Sequence, residues 1–357
     1  MNKEFTMRKT AILKSDLFLE HIPDFNHVES PDRLRIIYDE LAKPPLSELF
    51  LYPEFAPASP EVLQLNHSNE HVRRVAGTAG KTFSSLDPDT QASPKSYDAA
   101  CLAAGAVMGG MEMIVQGRAD NGFALVRPPG HHAEEDRAMG FCLFNNVAVG
   151  ARYGLEHLGM ERVAIFDWDL HHGNGTQHSF YTSNQVLYLS THAYPYYPGS
   201  GGLSEVGSGE GEGYTVNVPL SGGQDDRAFA GIVKEIIVPV TRDFEPDFII
   251  VSAGFDTYFG DPLGTMAVTQ QGFACMAKQL IELAEDICGG RLLVALEGGY
   301  NLQGLRDGVL AVLGELSGNQ ECPGKVDDAT LQAIIDSEHH VPVIAQVRDI
   351  AKRYWRL

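Results

Sequence analysis

Residues 163–175 read VAIFDWDLHHGNG, and this stretch decides the fold. Val163, Ala164, Ile165 and Phe166 form a short, unbroken apolar run with β-branched members, as expected of a strand buried on both faces. The run stops abruptly at Asp167, Asp169, His171 and His172, so the polar chemistry begins where the strand ends. In an open α/β sheet, ligands bind beyond the carboxyl ends of the strands. Alternate residues of an extended strand share a face, which predicts that Asp167, Asp169 and His171 point the same way. Carboxylates aligned at a strand end repel one another unless a cation sits between them. Asp and His without a thiolate suit a borderline divalent ion such as Zn²⁺ in an open, catalytic site, and Fe²⁺ also fits such ligands.

Comparable runs recur at 123–126, 186–190, 214–218, 248–252 and 292–296, with helix-length segments at 99–116, 145–157, 226–242 and 273–287 between many of them. Alternating strands and helices predict an α/β protein with a mostly parallel sheet flanked by helices. The 357 residues show no repeat and no Pro/Ser-rich linker, so they read as one domain. SGGLSEVGSGEGEG at 200–213 reads as a surface loop, and 318–357 as a C-terminal helical appendage.

Three further clusters follow predicted strands. RPPGHH at 127–132 carries adjacent histidines, His131 and His132, suited to general acid and base work near neutral pH. SAGFD at 252–256 adds the carboxylate of Asp256, the third candidate ligand. LEGGY at 296–300 brings Tyr300 on paired glycines, where a phenol can donate to a developing oxyanion. The second tandem pair, His339 and His340, follows no strand and carries no expected role. Four polar clusters at one sheet edge describe a metal-dependent hydrolase.

Composition limits the partners. The formal net charge of −20 argues against a binder of the nucleic-acid backbone, disfavours anionic membranes and attracts cationic substrates at long range. Five cysteines without a CxxC motif indicate free thiols in a reducing, cytoplasmic setting. The first 21 residues lack a secretory h-region, and no run of about 18 apolar residues predicts a membrane span. The oligomeric state is open, a homo-oligomer included.

RPPGHHA at 127–133, GFCLFNN at 140–146, DWDLHHGNGTQ at 167–177, SAGFD, GDPLG at 260–264 and LEGGY together resemble the zinc-dependent histone deacetylase family, from about residue 10 to about 317. Trp168 and Asn174 are similar to its class II branch and the bacterial deacetylase-like amidohydrolases. The resemblance implies the arginase–deacetylase fold, a single domain with an eight-stranded parallel sheet. It implies zinc on Asp169, His171 and Asp256, with Asp167 orienting His131, Asn174 holding His132 and Tyr300 stabilising the oxyanion. It implies a substrate tunnel with Gly140 in its floor, Phe141 and Tyr197 as walls, Leu263 at its mouth and Asp89 at its rim. Arg33 resembles an arginine lining an acetate exit. Two potassium sites are implied, one at Asp167, Asp169, His171, Ser190 and Thr191, and one at Phe180, Ser183, Val186 and Tyr214. The expected substrate is an acylated lysine or a small acyl-amine. Deacetylation of acetylpolyamines and non-catalytic acyl-lysine binding are the alternatives, and a binuclear arginase-type site is a more distant one.

Overall fold

A computed structural model describes residues 7–23, 27–339 and 341–357. Seven strands form one parallel sheet: β1 (Thr10–Leu13), β2 (Asn121–Ala124), β3 (Val163–Asp167), β4 (Val186–Ala193), β5 (Thr215–Leu220), β6 (Phe248–Ala253) and β7 (Leu292–Leu296). Their order across the sheet is β1-β2-β7-β6-β3-β4-β5, seven among the described residues rather than the eight the resemblance implies. The central strands β3, β6 and β7 are buried along their whole length, which is why they read as continuous apolar runs. β1, Thr10-Ala11-Ile12-Leu13, is too short for the periodicity to reveal. An antiparallel ribbon, Ser84–Asp87 with Thr90–Ala92, is likewise absent from the expected elements.

Two helix pairs flank the sheet: Ser96–Val115 with Asn146–His157, and Gln270–Ile287 with Leu302–Ser317. Ser96–Val115 corrects the expectation about membrane spans, because by length and composition it is apolar enough to cross one. Its Ala, Val and Met side chains are largely buried against the sheet and its neighbours, which explains the composition. The segment expected at 226–242 runs as Asp226–Ile232, Val233–Ile237 and Val238–Phe244, with a π turn in the middle.

Beyond residue 318, Asp328–Ile335 and Val343–Ala351 are helical. The second packs against β5, an edge strand of the sheet. Trp355 Nε1 donates to the Gly213 carbonyl (2.9 Å), tying this appendage to the glycine-rich loop. His339 pairs with Glu235 (3.1 Å), far from the strand ends in sequence; His340 and residues 1–6 lie outside the described residues.

Parallel register aligns the strand ends that matter. Asp167 is level with Ser190 on β4 and with Ser252 on β6, and Ser252 is level with Ala295 on β7. The loops that follow β2, β3, β6 and β7 therefore leave the same edge.

Candidate active site

The chain does not stay extended after β3. Asp167 Oδ1 accepts from the Asp169 N–H (3.1 Å), and Asp169 Oδ1 accepts from the His171 N–H (2.8 Å). These side-chain-to-backbone bonds curl the segment, as Asp commonly does in turns. The expected common face of Asp167, Asp169 and His171 is thereby split. Asp167 turns away to His131 Nδ1 (3.0 Å) and the Tyr188 hydroxyl (3.3 Å). Asp169 and His171 instead meet Asp256 from the end of β6, and one ligand atom from each lies within 4.8 Å of the others. All three are buried.

This cluster has no room for side chains beside it. A Cβ on Gly298 would lie 2.4 Å from Asp256 Oδ2 and 2.6 Å from Asp169 Oδ2. The Gly298 N–H donates to Asp169 Oδ2 (2.8 Å), and the Leu170 N–H donates to Asp256 Oδ1 (2.9 Å). Burial and the neighbouring Asp169 charge push the Asp256 carboxyl up to about 7. Against the pull of burial, the two carboxylates raise His171 to about 9. Two desolvated carboxylates around one imidazole form a donor set short of positive charge, which is what a divalent cation supplies.

The tandem histidines have different partners. Burial alone would lower His131, but the Asp169 and Asp167 charges and the bond to Asp167 overcome it and push it up to about 10. His132 Nδ1 faces Asn174 Oδ1 at 2.8 Å. Burial, with the charges of His131 and His171, holds His132 well below the usual imidazole range. The two rings lie 4.0 Å apart between centroids. Burial pushes the Tyr300 phenol well above its ordinary value.

A cavity of about 300 Å³ opens onto these groups, lined by His131, His132, His171 and Tyr300 below and by Phe141, Tyr197 and Leu263 towards solvent. Phe141 sits at φ 68°, a left-handed conformation that a bulky side chain rarely adopts. It is held there by its N–H bond to Thr90 Oγ1 (3.0 Å) and by the Gly140 N–H bond to Asp89 Oδ1 (3.1 Å). Gly140 is required, since a Cβ there would lie 2.3 Å from His132 Cδ2. Tyr197 meets His132 edge-on at 5.1 Å and is 38% exposed, so it reaches from the catalytic groups to the mouth. Leu263 lines the mouth, and its carbonyl accepts from the Tyr196 hydroxyl (3.2 Å).

Arg33 lies behind Tyr300 rather than in the cavity wall. Its guanidinium donates to the carbonyls of Gly299 (2.7 Å) and Glu297 (2.5 Å) and stands 5.0 Å over the Tyr300 ring. Ser190 and Thr191 are buried on β4 beside Asp167, so the first group of implied potassium residues comes together. Of the second group, Val186 opens β4, the Ser183 N–H donates to the Phe180 carbonyl (3.0 Å), and the Tyr214 carbonyl accepts from the Tyr188 N–H (2.9 Å).

Several supporting residues have no signal of their own in the sequence. Glu29 pairs with Arg127 (2.5 Å) and Arg33 (3.0 Å), all three fully buried. Glu297 Oε2 accepts from the Gly130 and His131 N–H groups (2.6 and 3.2 Å), and its Oε1 accepts from the Ser252 hydroxyl (3.0 Å). Asp261 Oδ2 accepts from the N–H groups of Tyr300 (2.7 Å) and Asn301 (2.8 Å) and so anchors the tyrosine loop. Arg127 and Glu297 stand inside the quoted motifs, which flagged the segments without revealing the partners.

The parallel sheet, with carboxylates, imidazoles and a phenol gathered at one edge, defines an α/β protein with a hydrolase-type site. The sequence matches the histone deacetylase domain over residues 27–316. It is 36% identical over 360 residues to a probable deacetylase of Archaeoglobus fulgidus, covering 97% of this chain and 99% of that protein. It is 46% identical to histone deacetylase 15 of Arabidopsis thaliana over 82% of this chain and 53% of the relative, so it spans about half the length of that protein. The crystal structure of the HDA15 HD domain is similar at a TM-score of 0.87 with 40% identity, over 98% of this chain and 96% of that one. The chain belongs to the histone deacetylase family, and it is a deacetylase.

Proposed function

We propose that the protein is a zinc-dependent amidohydrolase that removes acetyl or related acyl groups from the ε-amine of lysine or a similar amine, releasing acetate from acetylated substrates. The observation that carries this reading is the convergence of the Asp169, His171 and Asp256 donors with His131, His132 and Tyr300 beneath one narrow, partly aromatic cavity. The donor set fits the ion: three buried oxygen and nitrogen ligands without thiolate, beside a cavity that leaves access for water and substrate. Bound there, zinc supplies Lewis acidity to the acyl carbonyl and the attacking water.

The protein groups divide the remaining work. His132 is neutral with Nδ1 engaged by Asn174, so Nε2 takes the water proton and returns it to the departing amine. His131, charged beside Asp167, stabilises negative charge in the transition state. Tyr300 keeps its proton and donates to the oxyanion. Phe141 and Tyr197 enclose the aliphatic stem over the Gly140 floor, and Asp89 accepts from the substrate backbone at the rim. Arg33 holds the Tyr300 loop and adds positive charge on the side from which acetate leaves. The residues grouped around Ser190 and those around Tyr214 hold potassium through oxygen donors. Leu263 brings no charge to the mouth, which favours lysine side chains over polyamines, with their second cation.

A panel of acetyl-lysine peptides, longer acyl-lysines and N8-acetylspermidine, assayed with the zinc-loaded protein, tests the reading. The expected result is highest kcat/KM on an acyl-lysine peptide. Preference for acetylspermidine would make the protein a polyamine deacetylase, and binding without turnover would make it an acyl-lysine reader.

A further inference from the structure

An amide holds His132, whereas a carboxylate holds His131. The distinction matters because a carboxylate offers the same acceptor at both ends, while an amide has a donor end and an acceptor end. Something else must decide which end of Asn174 faces the ring. Asn174 Nδ2 lies 2.5 Å from Glu134 Oε1, 3.4 Å from the His132 carbonyl oxygen and 3.5 Å from Met139 Sδ. All three neighbours accept hydrogen bonds, and the nearest is a carboxylate. The Glu134 carboxylate is in turn held by His178 Nδ1, at 2.9 Å from both oxygens. Asn174 and His178 stand four residues apart on the helix Asn174–Phe180, so both reach Glu134 from one face.

With acceptors on one side, the amide must turn its –NH₂ to Glu134 and its oxygen to the ring. The ring nitrogen facing that oxygen, Nδ1, must then carry the hydrogen. A neutral imidazole has only one, so the lone pair lies on Nε2, on the side away from Asn174 where His132 lines the cavity. We propose that Glu134 is a positioning residue for the histidine pair: through the amide of Asn174 it fixes the tautomer of His132 and aims the basic nitrogen at the substrate. The inference rests on the hydrolase reading for its kinetic consequence, but the tautomer itself does not depend on turnover.

Reversing the polarity tests this. Glu134→Lys places a donor where the carboxylate was, so the amide turns over and presents –NH₂ to the ring, which must answer with a bare Nδ1. In the zinc-loaded protein kcat should fall by about 10²-fold, the scale of a lost general base, with KM within about twofold. Zinc content and melting temperature should hold. Glu134→Gln can still turn an oxygen to Asn174 and should stay within about fivefold of the parent. Adding Asn174→Asp to Glu134→Lys restores an acceptor between ring and lysine and should recover kcat to within about tenfold. Ring ¹⁵N shifts in histidine-labelled protein report the tautomer without any assay, with the His132 proton moving from Nδ1 to Nε2 in Glu134→Lys. An unchanged tautomer and a kcat within twofold in Glu134→Lys overturn the proposal. So does a loss that Asn174→Asp cannot rescue in a folded, zinc-loaded protein, which makes Glu134 only a strut of the 133–139 loop. A parent protein that hydrolyses nothing in the panel overturns the hydrolase reading alone, and the ¹⁵N shifts still decide the role of Glu134.

Discussion

Two cavities of the molecule contrast, and the larger is the less specific. A space of about 940 Å³ beside the helix Gln270–Ile287 is lined by Arg8, Lys234, Arg242, Glu282 and Asp336, among others. Two of its ion pairs stand in solvent: Lys234 with Asp336 at 3.0 Å, side chains 49% and 58% exposed, and Arg242 with Asp286. Water screens such pairs, and each contributes little. The cavity at the strand ends is about 300 Å³, yet the imidazoles that line it are buried, as are the carboxylates of Asp167, Asp169 and Asp256 behind them. There burial and named neighbours set each charge: Asp169 and Asp167 raise His131, whereas burial with the charges of His131 and His171 lowers His132. Volume does not make the site; desolvation with directed partners does.

The sharpest contrast is removal of a ligand. Asp256→Ala should abolish deacetylation and weaken zinc retention, both measurable by peptide assay and metal analysis after dialysis. Arg242→Ala in the large cavity should leave kcat/KM within about twofold, the ordinary range for an exposed pair. Equal losses from the two changes would erase the distinction between the cavities. Next in size is Tyr300→Phe, which should lower kcat by about 10²–10³-fold, the scale for one oxyanion donor, without loss of zinc. Unaltered turnover would take the phenol out of the mechanism.

The same contrast explains what the sequence reveals. Strand runs such as 163–166 and 248–252 are legible because burial on both faces forbids polar residues. The Asp, His and Tyr that follow such runs are legible because they stand just past them, one residue beyond for Asp167 and five beyond for His131. Alternation predicted a shared face for Asp167, Asp169 and His171, and it failed because β3 ends at Asp167 and hydrogen bonds curl the chain thereafter. The partners are a different matter. Arg127 finds Glu29 across 98 residues, and Arg33 finds the Gly299 carbonyl across 266. No local pattern encodes such pairings. The Glu134–Asn174 contact spans 40 residues and escaped for the same reason.

A buried histidine beside the site, His67, should also contribute to the pH dependence of folding. His67 is neutral in the fold: Nδ1 donates to the Glu134 carbonyl (2.9 Å) and Nε2 accepts from the Asn145 N–H (2.9 Å). Burial drives its pKa down to about 3. The unfolded chain therefore binds a proton near pH 6.5 that the folded chain refuses until about pH 3, so stability falls as pH drops through that window. From pH 7 to pH 5 the loss attributable to His67 is about 2 kcal/mol. Glu297, raised to about 7 by burial, acts in the opposite direction above its ordinary carboxyl value, so the comparison must be between variants. Denaturant melts at the two pH values should show a smaller acid loss in His67→Gln than in the parent. Parallel losses would assign the dependence elsewhere.

The smallest effect concerns the mouth, where the buried site meets solvent. Leu263 lines the entrance, with its N–H on Asp261 Oδ1 (3.0 Å) and its carbonyl on the Tyr196 hydroxyl (3.2 Å), so its backbone is fixed and its side chain alone is free to vary. The overall charge of −20 draws in any cation and cannot separate a lysine peptide from a polyamine. A local group can, because the two substrates differ in whether a second ammonium follows the stem past the mouth. Leucine offers that ammonium nothing, and it packs against an apolar or peptide neighbour. Leu263→Glu places a carboxylate there without disturbing the backbone bonds. It should shift the ratio of kcat/KM for N8-acetylspermidine over an acetyl-lysine peptide by about 1–2 kcal/mol, roughly ten-fold, in favour of the polyamine. The shift should shrink in high salt, because the mouth is partly solvated and the new attraction is screened. A salt-insensitive shift would point to reshaping of the Tyr196 contact instead of charge recognition, and no shift would mean that the distal ammonium does not pass over residue 263.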